Sequence, residues 1–310
     1  MPIAAIITPG TIVVHPSLLN TTASTKPPAQ LGFSKSNYGT IDTGPGLYLG
    51  PTPNLTYLSV KAASNQAILS IQPPSINSSY DLVFAAPGLE CSVPDEATIT
   101  AFNDTLAHSF FQYGWNPDQF DKTYNTQSIS YSCWAPSPSG NFSLTNPDFS
   151  WQNSSSFDSS SNDGEHLFFF VPTTLPGNVV LLDCVLRNST YNVSFGFEDN
   201  DQDIRVNSLQ HGVGVPVGET QNEPGNVSPT QLCFTAVMQA FGSIVAGTVA
   251  NTHDDDSELL YDPATLVQVT KLQQYIGSEW QPVVAQEFLN DVESLFQNIT
   301  LSLLSASPFW

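Results

Sequence analysis

Residues 190–197 read Thr-Tyr-Asn-Val-Ser-Phe-Gly-Phe, and their strict alternation decides the fold class. Successive side chains of a β-strand point to opposite faces, so Tyr191, Val193, Phe195 and Phe197 share one face. The pattern therefore predicts a strand with one buried apolar face. Asn192 is expected to point outward from the other face.

Further strands are predicted on both sides of this stretch. Residues 128–134 alternate in the same way and place Ile129, Tyr131 and Cys133 on one face, with serines on the other. Residues 167–171 (Leu-Phe-Phe-Phe-Val) are continuously apolar, which is typical of a strand buried between two layers. Two more β-rich runs, each bounded by turn-forming residues, are 80–85 and 179–186.

Helical patterns interrupt and follow the strands. A helix is predicted over about 93–111, because Ser92 to Asp95 has the form of a capping box and apolar residues follow at helical spacing. The uncharged segment 232–251 is long enough to span a membrane. A polar or small residue recurs there at every fourth position, which favours a buried core helix instead. The apolar stripe of a last helix consists of Val284, Phe288, Val292, Leu295, Ile299 and Leu303.

These patterns predict an α+β fold, with an antiparallel sheet or sandwich, one inserted helix and a C-terminal helical layer, stapled by disulfides. Four regions are expected. They are an extended N-terminal segment (1–50), a β-rich domain (51–215), a linker (216–229) and the helical layer packed on the β-rich part (230–310).

The charge balance excludes several classes of protein. The 310 residues include 28 acidic and 7 basic side chains, for a net charge of -21. Nucleic-acid binding depends on Lys and Arg that neutralise phosphates, so the chain is not expected to bind DNA or RNA. Anionic membrane surfaces are disfavoured by the same sign of charge. An aromatic content of 11% excludes intrinsic disorder.

Glycosylation sequons are unusually frequent in the chain. Ten Asn-X-Ser/Thr triplets occur, whereas a chain of this composition gives roughly four by chance. The excess indicates an N-glycosylated protein of the secretory pathway, exposed on an extracellular or lumenal face. The sequon asparagines are Asn20, Asn54, Asn77, Asn103, Asn141, Asn153, Asn188, Asn192, Asn226 and Asn298.

Cysteine usage points to the same compartment. Cys91, Cys133, Cys184 and Cys233 are even in number and have no zinc-like spacing, so two disulfides are predicted. Four cysteines allow three pairings. Of these we favour Cys91 with Cys133 and Cys184 with Cys233, and the connectivity stays open.

Metal chemistry has one weak candidate. Asp199, Asp201 and Asp203 match the first ligand spacings of a calcium-binding loop. Ile204 stands where the loop requires glycine, and Gln210 stands where it requires glutamate, so an EF-hand is excluded. The run is predicted to be a solvated turn, and residues 253–258, which include three aspartates, are predicted to be an exposed loop.

Catalytic signatures are absent from the sequence. There is no G-x-S-x-G motif, no H-E-x-x-H motif and no dinucleotide fingerprint, so no cofactor is expected. The cluster Asp163 to His166 closes a Ser-rich loop and is predicted to lie at the surface. A glycosidase remains the alternative, because suitable residue types are present without a recognisable spacing: Glu90, Glu96, Asp118, Glu165, Trp115, Trp134 and Trp151.

Three segments resemble the large extracytoplasmic region of an uncharacterised family of fungal multi-pass membrane proteins. They are residues 3–14 (IAAIITPGTIVV), residues 76–91 with Pro87-Gly-Leu-Glu-Cys91, and residues 292–304. The resemblance implies that the chain lies between transmembrane helices of a longer protein, and the apolar ends agree with this. It implies no activity. We therefore expect a non-catalytic, glycosylated ectodomain that binds an unknown protein or glycan, with a secreted carbohydrate-active protein as the alternative.

Overall fold

Antiparallel strands and packed helices make up the described part of the protein. The computed structural model describes residue 33 and residues 38–41, 48–74, 77–96, 128–134, 166–172, 179–199, 201–215, 228–251, 259–262, 265–276 and 283–306. Within these ranges a seven-stranded antiparallel sheet and a two-stranded ribbon form, with helices contributing to the same hydrophobic core. The α+β class expected from the sequence is confirmed.

The ribbon pairs the first two strands, and the other strands form the large sheet. The strands are β1 (Gly39–Ile41), β2 (Tyr48–Pro51), β3 (Ser79–Ser92), β4 (Ser128–Trp134), β5 (His166–Pro172), β6 (Val179–Glu198), β7 (Asp201–Gly214), β8 (Gly247–Asn251) and β9 (Leu259–Asp262). In the sheet the order is β3-β6-β5-β4-β8-β9, and β7 pairs with β6.

The 20-residue strand β6 organises the sheet. One of its edges pairs with β3 from Asp183 to Gly196. Its other edge is shared, because β5 pairs with residues 179–185 and β7 with residues 187–198. Tyr191 and the alternate residues that follow it are buried as predicted.

The side of β3 and β6 that is packed in the main core changes part-way along both strands, at the same pair of neighbouring positions. Core residues of β6 are even-numbered up to Leu186 and odd-numbered from Tyr191 onward. Those of β3 change parity in step, between Ala86 and Leu89. The change occurs at Pro87 and Gly88, which pair with Asn188 and Arg187. A proline fits here because β3 is at the edge of the sheet.

Strand order explains why the predicted disulfide pairing is wrong. Cys91 and Cys184 are direct partners on β3 and β6 and form the disulfide. Cys133 lies on β4, which is separated from β3 by β6 and β5, so three strand spacings of about 14 Å in total intervene. A disulfide needs Cα atoms within about 7 Å. Cys133 and Cys233 are buried thiols.

In the part of the chain that the structure describes, three α-helices pack on these strands. They are α1 (Pro53–Asn65), α2 (Pro229–Val245) and α3 (Ala285–Ser302), and short 3₁₀ turns cover Val267–Val269, Lys271–Tyr275 and Leu303–Ala306. Side chains cap the first two: Thr52 Oγ1 accepts from Leu55 N, and Ser228 Oγ accepts from Gln231 N. Both caps precede a proline, which is favourable in the first helical turn.

The apolar segment 232–251 is only partly the core helix that was predicted. Helix α2 is buried from Cys233 to Gly242 and ends at Val245. Gly247 then adopts a φ of 129°, which a residue with a side chain rarely adopts, and the chain continues as β8. No helix in the described ranges is long and apolar enough to cross a membrane.

The apolar stripe of the last helix is confirmed from Phe288 onward, but Val284 is the exposed N-cap residue, and other expectations also need correction. Phe288, Val292, Leu295 and Ile299 are buried in α3. Helix α1 lies within the region expected to be β-rich, and β8 and β9 lie within the expected helical layer. Ser92 ends β3 rather than beginning a helix, and the predicted helix lies outside the described residues from position 97 onward.

The burial predicted for residues 167–171 is confirmed, whereas more residues of β4 are buried than its pattern predicted. All five residues 167–171 are buried, as their continuous apolar pattern indicated. In β4, Tyr131 and Cys133 are buried as expected, but Ser130 and Ser132 are buried too. Both faces of β4 are therefore covered at these residues. The sequence did not predict this, because an alternating pattern shows only that the two faces of a strand differ in polarity.

Candidate functional site

A cluster of polar side chains surrounds Gly88, where the neighbour of β6 changes from β5 to β7. It comprises Gly88 and Glu90 of β3, Arg187 and Ser189 of β6, and His211 of β7, and is here named the Gly88 cluster. The strand pairing brings it together, because Gly88 is the partner of Arg187 and Ser189 is the partner of His211.

Short contacts link the members of the Gly88 cluster. Arg187 Nε donates to Glu90 Oε2 at 2.8 Å, and Ser189 Oγ lies 3.0 Å from His211 Nδ1. A Cβ atom placed on Gly88 would lie 2.3 Å from Ser189 Oγ and 3.5 Å from His211 Cε1. The missing side chain of Gly88 therefore makes room for the serine and the imidazole.

The electrostatic surroundings keep His211 neutral. Burial lowers the pKa of His211, the charge of Glu90 opposes this effect, and the charge of Arg187 adds to it. A histidine with a lowered pKa is uncharged at pH 7. Ser189 Oγ also lies 3.4 Å from the carbonyl oxygen of Arg187, so the serine has two hydrogen-bond partners, and the direction of its bond with His211 Nδ1 follows the imidazole tautomer.

The Gly88 cluster contains a serine and a histidine but not the geometry of an activated nucleophile. Such a nucleophile needs an accessible hydroxyl and a base that a third group orients. Ser189 is only 1% exposed, and the carboxylate of Glu90 binds Arg187 rather than the imidazole. In this arrangement the cluster holds β3, β6 and β7 together.

A second carboxylate, Glu293 of α3, closes the open edge of β3. Its Oε1 accepts a hydrogen bond from Cys91 N at 2.8 Å. Nearby, the hydroxyls of Tyr191 and Thr300 both donate to the carbonyl of Pro87. These bonds satisfy backbone groups that an edge strand otherwise leaves open to pairing with other chains.

Burial raises the pKa of Glu293, the hydrogen bond from Cys91 N opposes this effect, and the charge of Glu90 adds to it. A carboxyl whose pKa is raised on folding stabilises the protein fully below the unfolded pKa of about 4.3, and this stabilisation is lost as pH rises through the folded pKa. We expect Glu293→Gln to match the wild type near pH 4 and to be more stable by about 0.5 kcal/mol at pH 7, a value that allows for solvent screening.

Urea unfolding of both proteins across this pH range measures the effect. Glu287→Gln is the matched control, because it removes an exposed carboxyl from the same helix. Equal pH dependence of the two variants would contradict the environment assigned to Glu293.

His166 lies in a half-buried pair with Asp183. Its Nδ1 atom is 2.7 Å from Asp183 Oδ1, and the side chains are 14% and 19% exposed. The ring also stacks on Phe168, at 6.2 Å between ring centroids. His166 is thus a partly exposed residue at the start of β5, and the other residues of the predicted surface cluster, 163–165, lie outside the described residues.

The acidic run lies where β6 ends and β7 begins. Asp199 adopts a φ of 48° between β6 and β7, and Asp203 pairs with Arg205. No group of three or more potential metal ligands occurs among the residues that the structure describes. Asp199 is an exposed turn residue as predicted, whereas Asp201 and Asp203 are exposed residues of β7. Residues 253–258 lie outside the described ranges.

Five of the ten sequon asparagines lie in the described ranges. Asn54, Asn77 and Asn188 are exposed, and Asn192 and Asn298 are half-buried. The side chain of Asn77 is engaged, because its Oδ1 accepts from Asp199 N at 3.0 Å. The sequons outside the described residues are Asn20, Asn103, Asn141, Asn153 and Asn226.

The glycosidase candidates are only partly visible. Glu90 belongs to the Gly88 cluster and Glu96 is exposed. Asp118, Glu165, Trp115 and Trp151 lie outside the described residues, and only the backbone of Trp134 is described.

Sequence reasoning did not find the Gly88 cluster. Glu90 and Arg187 are 97 residues apart in sequence and Ser189 and His211 are 22 residues apart, and only strand pairing brings them together. A local signal did exist, since an isolated glycine within a strand pattern indicates close approach of another group. Comparison with protein-family models, with curated proteins and with solved structures finds no match for this chain.

Proposed function

We propose that this chain is a non-catalytic, N-glycosylated domain on the extracellular or lumenal side of a membrane protein, with a binding or structural role. The observation that carries the proposal is the Cys91–Cys184 disulfide within the sheet. Disulfides persist in oxidising compartments, whereas cytosolic thiols are kept reduced.

The sequons support the same compartment. All five described sequon asparagines retain some exposure to solvent, and Asn54, Asn77 and Asn188 are exposed, as carriers of a surface glycan must be. The net charge of -21 with 7 basic residues disfavours nucleic-acid partners. A protein or glycan ligand is the partner class that remains.

The burial and the pairing of the polar side chains in the Gly88 cluster support the non-catalytic role. In the Gly88 cluster the serine is buried and the carboxylate is held by arginine. One observation favours the alternative, a carbohydrate-active protein: burial, with the charge of Glu90 adding to it, raises the pKa of Glu293, as in a general acid.

An expression experiment tests the compartment. The chain is produced with a secretion leader in a eukaryotic host, and the same chain without the leader is produced in the cytosol as the control. We expect the secreted protein to lose mass on treatment with an endoglycosidase and the cytosolic protein to be unchanged. A secreted protein without glycan and with four reactive thiols would overturn the proposal.

A polysaccharide assay separates the two roles. The secreted protein is incubated with soluble β-glucan, mannan and chitin oligomers, and reducing sugar is measured. We expect no release above that of heat-inactivated protein. Release that is lost in Glu293→Gln would establish the carbohydrate-active alternative instead.

A further inference from the structure

Two sequons follow one another along β6 and use the same face. The sequon places its asparagine and its hydroxyl residue two positions apart, which is also the repeat of a β-strand. Asn188, Thr190, Asn192 and Ser194 therefore form one row on the side of β6 opposite Tyr191. The first two are exposed, and the other two are half-buried.

The surface around this row is open. Val83 of β3 is the partner of Asn192 and is 58% exposed, and Ala85, the partner of Thr190, is exposed. On the other side, Ser208 of β7 is the partner of Asn192 and is also exposed. A bulky group attached in the middle of this face has space above both neighbouring strands.

The sequon in α3 provides an internal contrast. Residues two positions apart in an α-helix lie about 200° apart around its axis, so they point to opposite sides. Thr300 is accordingly buried and donates to the carbonyl of Pro87 at 3.3 Å. Asn298 is half-buried, and its Nδ2, the atom that would carry a glycan, donates to the carbonyl of Gln66 at 3.5 Å.

We propose that Asn188 and Asn192 each carry an N-linked oligosaccharide that covers the open face of β3, β6 and β7, and that Asn298 remains unmodified. This inference rests on the proposed secretory compartment. The donor is a polyprenyl-diphosphate-linked oligosaccharide. The amide Nδ2 forms a bond to the anomeric carbon of the first sugar and loses a proton, while the bond from that carbon to the diphosphate oxygen breaks and the lipid diphosphate leaves.

The oligosaccharides cover the face of β3, β6 and β7 that bears the exposed Val83, which a partner protein would otherwise contact. Asn188 and Asn192 are four residues apart on an extended strand, about 13 Å. Glycans at both positions cover the exposed Val83. The sheet face is therefore shielded, and a partner must approach another side of the domain.

Site-resolved mass spectrometry of the secreted full chain tests the inference. Deglycosylation with a peptide amidase in heavy-oxygen water converts each modified asparagine to labelled aspartate. We expect the label at Asn188 and Asn192 and none at Asn298. Thr190→Ala should remove one glycan mass, and the matched control Thr190→Ser should retain it, because serine preserves the sequon. Asn192→Gln should remove one glycan mass, and Asn298→Gln should remove none.

The possible results separate the two proposals. Label at Asn54 or Asn77 but at neither Asn188 nor Asn192 overturns this inference and leaves the secretory compartment intact. Label at Asn298 overturns the part that concerns α3. A secreted chain without label at any asparagine overturns both this inference and the glycosylated domain proposed above.

Discussion

Replacing Cys91 and Cys184 together by alanine is expected to lower the free energy of unfolding by about 4 kcal/mol, the largest effect of any change considered for this protein. The bond joins residues 93 positions apart. Closing such a long loop restricts the unfolded chain strongly, so its removal favours the unfolded state. The bond also joins β3 to β6, two strands that form much of the buried core.

Chemical denaturation with and without reductant measures this loss. The wild type with reductant should unfold like the double alanine variant, whereas without reductant it should be more stable. Cys133→Ala is the matched control, because it removes a buried sulfur that forms no cross-link, and we expect it to cost about 1 kcal/mol. Two thiols should react with an alkylating agent in denatured, unreduced protein, and reaction of none or of four would contradict the assigned pairing.

Gly88→Ala is expected to destabilise the protein by about 2 to 3 kcal/mol, since it inserts a methyl group into a filled space. The new Cβ atom would lie 2.3 Å from Ser189 Oγ and 2.8 Å from Ser189 Cβ. Ser189 is buried and cannot move outward without losing its contact with His211.

A double-mutant cycle with Ser189→Gly isolates this contact. Ser189→Gly removes both atoms that the new methyl group would meet, so the double variant should be at least about 1 kcal/mol more stable than the sum of the single effects. Gly196→Ala on β6 is the control, because its nearest contact would be an ordinary 3.5 Å. Additive effects in the cycle would show that Ser189 does not lie against Gly88.

Local patterns were sufficient for much of the secondary structure. The alternation of residues 190–197 gave the buried face of β6, and the apolar stripe of residues 288–299 gave the buried side of α3. Such patterns succeed because neighbouring residues in one element share a solvent boundary. They failed for 232–251, where uncharged residues continue from a helix into a strand and hydrophobicity alone does not mark the boundary.

Helix α1 was missed for a related reason. Its sequence, PNLTYLSVKAASN, has few large apolar residues, and only Leu55, Ser59, Ala62 and Ala63 are buried. The signals at its start were present, with Thr52 before a proline. Small buried side chains give a weak periodic pattern, so the helix is detectable from its cap rather than from its hydrophobicity.

The sequence by itself determined the α+β class and the buried face of residues 191–197 in β6, because these depend on residue types and on local spacing. Only the tertiary structure decided which cysteines pair, which polar groups meet around Gly88, and which sequons face solvent. Those features depend on strand order and register. Strand partners such as Cys91 and Cys184 are distant in sequence, and many arrangements satisfy the same local patterns until the core selects one of them.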